Sequence, residues 1–519
     1  MPLEQDKSNG FKFSSTDELR SGAWPENFAA NIPFFETVSN VEFTEQGVKK
    51  IHGWEEHADV GTDNEPVRGL LQVLDGTSRM IYAGTLSKIY EIDEGTSAAV
   101  GSSYTGTENA TTNTSEWDAG ASTWDGGGSI WDSSIGNPTQ WSMVNFGTWV
   151  LATNGKNTPQ IFKGTSFGAI SGLPTTKAVS TWEIFAKRGP YVLAFNSNVD
   201  SRDFYWCATD DPDNWEPTTT NAAGDLRIRE MKTAIRAAVP LGDRIAVYGD
   251  DQMFLVNYLG SPNYFGYQPA LDGIGAVSKH AVIPVGRRNY GWSQQGFFVT
   301  DGVSFDYIDD PMVRKFIDNN VSRAHIGKVN GYHDEQNNQV RWYYPDNASS
   351  DTLQGKVDRG IIYNYKSNTW SLLDIGRSAS SERLIYDHAI SGQENTGVTA
   401  TDGTIYFENY GENDGTSALV AYARTKGMDL GSADAVKDLS SIRIGVAGDS
   451  QGLMYRTGWA DTEGGTITWD AYKSMPAGYD FANIRTAGRW LYLEFYSSEL
   501  NDYWELVSLG FTGRVEGTR

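Results

Sequence analysis

The stretch AVIPVGRRNYGWSQQGFFVTDGVSFDYI, residues 281–308, decides the fold. An apolar run (Val282–Val285) meets a Gly-Arg-Arg turn, a second run passes through Tyr290 and Trp292, and Gly296 opens an aromatic third run that ends in Asp301-Gly302. Short β-branched and aromatic runs punctuated by Gly, Asp and Asn read as antiparallel strands, and their apolar alternation predicts one buried face. The unit recurs as GLLQVLDGTSRMIYAGTLSKIYEIDEG (69–95), as WSMVNFGTWVLATNGKNTPQIFKGTSF (141–167), at 182–215, at 235–258, and at 324–345 extended by 360–373. A weaker copy lies at 383–409. TPQIFKGTSF, GFFVTDGVSF and DGTIYFEN repeat one phrase within it. Recurrence every ~40–50 residues is the period of four-stranded propeller blades.

The expected fold is therefore all-β: an N-terminal arm and first strand (1–60), a β-propeller of six or seven blades (61–412), and a C-terminal β-sandwich (413–519) whose strands lengthen and lose their glycine turns. Composition agrees, since aromatics make up 13% of the chain and the 56 glycines supply tight turns. The best helix candidate is the short VRKFIDNNV (313–321). Between the first two units lies a Gly/Ser/Thr-rich insert (101–141) with Trp117, Trp124 and Trp131 at an interval of seven. It reads as a projecting loop whose rings pack on a blade or on a neighbouring subunit. The polar first 40 residues carry Trp24, Phe34 and Phe35 and read as an arm over a partner surface. These six aromatics are the expected interface residues.

Lys plus Arg number 42 against 66 Asp plus Glu, a formal charge of −24. Such a surface repels phosphates and excludes a DNA-gripping role, though not a wall along which DNA slides. Six copies would carry 6 × −24 = −144. The single Cys207 permits no internal disulfide and suits a reducing compartment. No signal peptide and no membrane-length apolar run is visible, so the expectation is a soluble protein made in the cytoplasm, without membrane insertion.

The six histidines show no metal-ligand spacing, and no zinc site of the usual kinds can form with one cysteine. GDDQM (249–253) and DDPDN (210–214) lack a calcium loop's alternating oxygen ladder, and turn chemistry accounts for them. Thr123-Trp124-Asp125-Gly126-Gly127-Gly128-Ser129 nearly spells the aspartate box of sialidase-type propellers, but its Trp falls one position late, at Trp131. Glycosidases need two carboxylates flanking a sugar, and no pair is marked out. NYKSNTW (364–370) is kelch-like without the paired glycines of that repeat. The expectation is a structural protein that is not an enzyme and binds no cofactor or metal; the alternative is a propeller-fold glycan-active enzyme.

Several phrases carry a family likeness. WPENFAANIPFFETVSN (24–40) with GVKKIHGW (47–54), TPQIFKGTSF (158–167), FYWCATDDPDNWEP (204–217), DGIGAVSKHAVIPVGRRNYGWSQQGFFVTDG (272–302) and NIRTAGRWLYLEFYSSELNDYWELVSLGFTGRV (483–515) together resemble the tail hub or nozzle proteins of short-tailed bacteriophages, the packaged-DNA stabilisation type. The Trp-Asp insert departs from that family's simplest members. The resemblance implies a virion protein of the tail: a homo-hexameric ring around a DNA-exit channel. It also implies an adaptor or head-completion ring above, and fibres, spikes or a needle as distal partners.

Overall fold

The computed structural model describes residues 4–5, 10–15, 35–44, 47–60, 66–85, 88–93, 96–99, 140–309, 311–347, 355–393, 403–430, 433–447, 450–474 and 481–518. Its body is a seven-bladed propeller. Six consecutive four-stranded antiparallel sheets occupy 69–99, 142–169, 182–227, 237–272, 282–307 and 330–373. The seventh is composite: Ala379–Ser381, Ile390–Gly392 and Thr404–Glu408 are completed on the outside by Trp54–Asp59 from the other end of the chain. The first strand of each blade lies beside that of the next, and Ala379–Ser381 returns beside Gly69–Asp75 to close the circle.

Blades stack face to face, so their middle strands are buried on both faces rather than on one. Tyr191–Ser197 is buried at all but one position, and Gln339–Tyr344 at every position. The alternation expected from sequence survives best in the sandwich strand Phe481–Gly488, whereas the outer blade strand Phe305–Tyr307 is at least partly exposed at every position. The core is a series of inter-blade clusters, each filled by large rings. Trp182 and Trp215 meet at 4.6 Å in blade three, and Trp342 sits 4.9 Å from Phe297 between blades five and six. Close-packed aromatics of this size give each interface a large apolar area and a stiff geometry. Cys207 is buried in this core, where desolvation pushes its thiol up to about 12 and leaves it inert.

The helix, Pro311–Asn320, lies between blades five and six with Val313 and Ile317 in their shared core. Proline suits its first turn, where the missing N–H has no partner to lose.

The sandwich packs two sheets around Phe35, Val41, Val48, Ile442, Phe495 and Trp504 among others. One sheet joins Gly10–Ser15, Glu505–Thr518, Ala435–Val446 and Phe481–Gly488, with Val41–Phe43 and Val48–Lys50 attached. The other joins Phe35–Ser39, Ala421–Thr425, Trp490–Ser497 and Met454–Ala460, extended by Thr468–Trp469 and Lys473–Ser474. The sequence-order divisions at 60 and 412 are therefore crossed by the chain: strands from 35–50 belong to the sandwich and 54–59 to the propeller. Phe35, expected at a subunit contact, is fully buried in the sandwich core, 5.8 Å from Phe43. An apolar ring in a strand that pairs with Ala421–Thr425 has an internal face to fill. Trp24, Phe34, Trp117, Trp124 and Trp131 lie outside the described residues.

Propeller and sandwich meet along blade six. The Asn40 amide nitrogen donates to the Leu372 carbonyl (3.1 Å), the Asp374 amide donates to Asn40 Oδ1 (2.9 Å), and Gln339 Nε2 donates to the buried Glu42. Gly53 marks the crossing point, for a Cβ there would stand 1.9 Å from the Asn413 carbonyl oxygen.

Candidate functional site

A propeller's axis is the natural place for a site, because the first strands of all blades converge there. The two ends of this axis differ. At the end where the first strands begin, the residues just before them reach across the ring. Lys279, ahead of blade five, donates from Nζ to the carbonyl of Gln140, ahead of blade two, at 2.9 Å. Gln140 Nε2 donates to the Lys328 carbonyl, ahead of blade six, at 2.8 Å. His280 Nε2 meets the Trp141 carbonyl at 2.9 Å and must carry the proton there. Ser278 Oγ donates to the Val329 carbonyl, and the Lys328 ammonium to the Gly355 carbonyl. Blades two, five and six are not all neighbours in a ring of seven, so these contacts span the axis and bridge it.

Burial holds His280 neutral, with help from the adjacent Lys279 charge and opposed by the Trp141 carbonyl; its pKa falls to about 4. A base whose folded pKa is depressed takes up its proton more readily unfolded, so its contribution is whole above pH ~6.5 and is lost as pH falls towards 4. Up to about 3 kcal/mol is at stake. Urea melts from pH 7.5 to 4 are expected to show this loss in the wild type and a flatter profile in His280→Gln; equal profiles would remove His280 from the account.

At the opposite end a narrow groove opens between blades six and seven, lined by His333, Glu335, Arg383, His388 and Asn409. Behind it lies a closed polar network. Glu408, fully buried, accepts from Trp54 Nε1 (2.6 Å), Tyr332 OH (3.1 Å) and Tyr343 OH (3.0 Å), and the buried Arg341 guanidinium stands 3.6 Å away. Arg341 also donates to Asp334 (3.3 Å) and Asn409 (2.7 Å). These carboxylates are committed to the lock between blades.

Two other acids are not. Glu335 follows the first strand of blade six and Glu382 follows that of blade seven. Burial, then the like charge of Glu335, raises the Glu382 carboxyl, while burial lowers His333 against the pull of Glu335 and Asp334. A carboxyl that holds its proton more tightly than usual, with a second carboxyl group near it, is a pattern able to donate and accept protons at one substrate. Sequence reading missed the pair because its members sit 47 positions apart (382 − 335) in unlike local sequences. Their common position, the first residue after an inner strand, was the available signal. A second, small hollow beside the helix holds the Asp309–Arg314 pair at 3.0 Å. Among the described residues no group of three or more His, Cys, Asp or Glu is placed to hold a metal ion.

No family model matches the sequence, and no curated protein matches it. Solved structures similar in shape include a protein described as a gluconolactonase (9% identity, TM-score 0.31, over 56% of this chain and 89% of that one). They also include the exo-β-1,3-galactanase of Phanerochaete chrysosporium (9%, 0.28, 89% and 100%) and a glycoside hydrolase (8%, 0.26, 88% and 98%). At such identities the likeness concerns the fold alone. All three are described as enzymes and none as a tail protein, so the expectation that this chain is not an enzyme does not stand.

Proposed function

We propose that this chain is a building block of a bacteriophage tail, a stiff wedge that assembles side by side into a ring through which DNA leaves. The observation that carries the reading is the bridged axis: Lys279, His280, Gln140 and Lys328 tie opposite blades together, making the propeller a solid body rather than an open funnel. A solid wedge suits load-bearing, and the bore then lies between subunits, where a chain of charge −24 repels phosphate. The sequence phrases shared with tail hub proteins support the same reading, and the adaptor and distal tail parts are the partners it implies. Mass photometry of the purified chain, with and without its adaptor, tests it. A species near six subunits is expected; a monomer at every concentration in both samples would sink the reading.

A second reading, action on a glycan, is favoured by Glu335, which lines the groove, and Glu382, which follows the inner strand of the neighbouring blade. On this reading Glu382 is the acid and Glu335 the base, and Glu382→Gln lowers hydrolysis of host polysaccharide by ~10²–10⁴-fold, the usual contribution of a general acid. A reducing-sugar assay across pH 4–8 checks it. Wild-type inactivity on all host glycans, or an unchanged rate in Glu382→Gln, discards the pair.

A further inference from the structure

Blades one to five share one turn between their first and second strands. Each turn has two residues and opens on a glycine at positive φ: Gly76, Gly147, Gly189, Gly242 and Gly286, all between 57° and 63°. That is the glycine position of a tight hairpin turn, so the residues flanking it take equivalent places around the open mouth of the axis.

The charges in those places are segregated. Blades three to five carry Lys187 and Arg188, then Arg244, then Arg287 and Arg288, with Asp243 as the one acid in their turns. Arg188 is half-buried and the other four are exposed. Arg244 lies 3.8 Å from its exposed neighbour Asp243; among the described residues no other carboxylate forms an ion pair with the five. Asp210 and Asp211 stand on the adjoining rim, where the Asp210 amide donates to the Pro190 carbonyl at 3.1 Å. Counting them too, the arc keeps a charge of +2 (5 − 3) on a chain whose total is −24. Acids farther off count for little, because physiological salt screens exposed charges beyond ~8 Å. The sign reverses at the next turn, where Glu335 of blade six enters the groove.

Aromatic rings adjoin the arc on its other side. Phe146 and Trp149 flank the turn of blade two, both partly exposed. Lys187 Nζ lies 5.8 Å from the Phe146 ring centre, and Lys163 Nζ lies 5.3 Å from that of Trp149. Guanidinium forks pair with planar carboxylates, and flat rings take the apolar faces of sugars. A polymer of uronic acids offers both features, with one carboxylate on each sugar. Duplex DNA, charged every ~1.7 Å, needs a denser track than one or two cations per blade.

We propose that this mouth binds an acidic polysaccharide, its carboxylates on Lys187, Arg244, Arg287 and Arg288 and its sugar faces on Phe146 and Trp149. The proposal rests on the glycan reading and gives it a substrate class. A chain held along blades two to five runs on to Glu335, because the first strands of blades five and six are neighbours.

The test is fluorescence anisotropy of labelled polygalacturonate, alginate and hyaluronate with the full chain at low and high salt, with neutral dextran and a DNA duplex alongside. It compares wild type with Arg287→Glu/Arg288→Glu and with Lys473→Glu/Arg485→Glu, which changes the net charge equally at exposed positions of the sandwich. The expected result is salt-sensitive binding of at least one polyuronate, weakened about tenfold or more in the arc variant only, and no binding of dextran. Failure of all three polyuronates to bind, or equal weakening in both variants, overturns the proposal. So does a DNA duplex that binds more tightly than any polyuronate and is lost in the arc variant, which would reassign the mouth to nucleic acid. Polyuronate bound at the arc but never hydrolysed sinks the glycan reading and leaves the binding mouth standing.

Discussion

A chain beginning at residue 61 is expected to form no native structure, appearing insoluble or melting without a cooperative transition. The truncation looks harmless in sequence, since it removes a polar arm ahead of the first repeat. In the fold it removes Trp54–Asp59, the outer strand of blade seven, and leaves Thr404–Glu408 with a bare edge. It also removes Phe35–Ser39, Val41–Phe43 and Val48–Lys50 from the sandwich, and with them the buried Phe35, Val38, Val41, Phe43 and Val48. Each large apolar side chain lost from a core costs ~2–5 kcal/mol, so five cost ~10–25 kcal/mol, as much as or more than the ~5–15 kcal/mol by which folded proteins are stable. A chain beginning at residue 34 keeps all of these strands and is expected to melt cooperatively. Differential scanning fluorimetry of the two truncations decides; a cooperative melt for the shorter one would mean that the composite blade and shared sandwich are dispensable.

The single substitution with the largest expected cost is Glu408→Ala. Its carboxylate is the common acceptor for Trp54, Tyr332 and Tyr343 and a counter-charge to Arg341, all buried. Burial and the neighbouring charges keep the Tyr332 and Tyr343 phenols far above their ordinary range, so both remain donors in need of an acceptor. Removing one partner of a buried charge network leaves the others uncompensated, at a cost of ~3–5 kcal/mol. Asp334 still faces Arg341 at 3.3 Å and keeps the cost from rising further. The melting temperature is expected to fall by about 5–10 °C. Glu408→Gln, which keeps an acceptor oxygen, should fall less; equal loss in both variants would show that charge rather than hydrogen bonding holds the lock.

What the sequence made legible was local. The 281–308 phrase maps onto the four strands of blade five almost residue for residue, because Gly286, Gly296 and Gly302 sit at turns with positive φ that few other residues adopt. Distance was not legible. Nothing in WEEHAD (54–59) names Thr404–Glu408 as its partner, because alternation tells a strand which face to bury and not which edge to join. Phe35 looked outward-facing for the same reason: its strand neighbour, Thr425, lies 390 positions away (425 − 35). Two-sided burial was hidden too. Arg341 sits in a strand buried at every position, a place where a charged residue is expected to mark a solvent face. Only the convergence of Glu408, Asp334 and Gln339 on its guanidinium accounts for it. The acids Glu335 and Glu382 stood out only once blades six and seven lay side by side.

The composite seventh blade also sets a timetable for biosynthesis. Trp54–Asp59 leaves the ribosome long before its partner strand at Thr404–Glu408, 345 residues later (404 − 59). At ~5–20 residues per second that is an interval of roughly 17–70 s. During it the strand beginning at Trp54 and the strand Phe35–Ser39 have no permanent neighbours, and both are the kind of exposed edge that invites aggregation. Blades one to six can form as they emerge, but the circle cannot be sealed until translation is nearly complete. Chaperone dependence of the nascent chain, greatest at stalls before residue 404, is what this wiring demands.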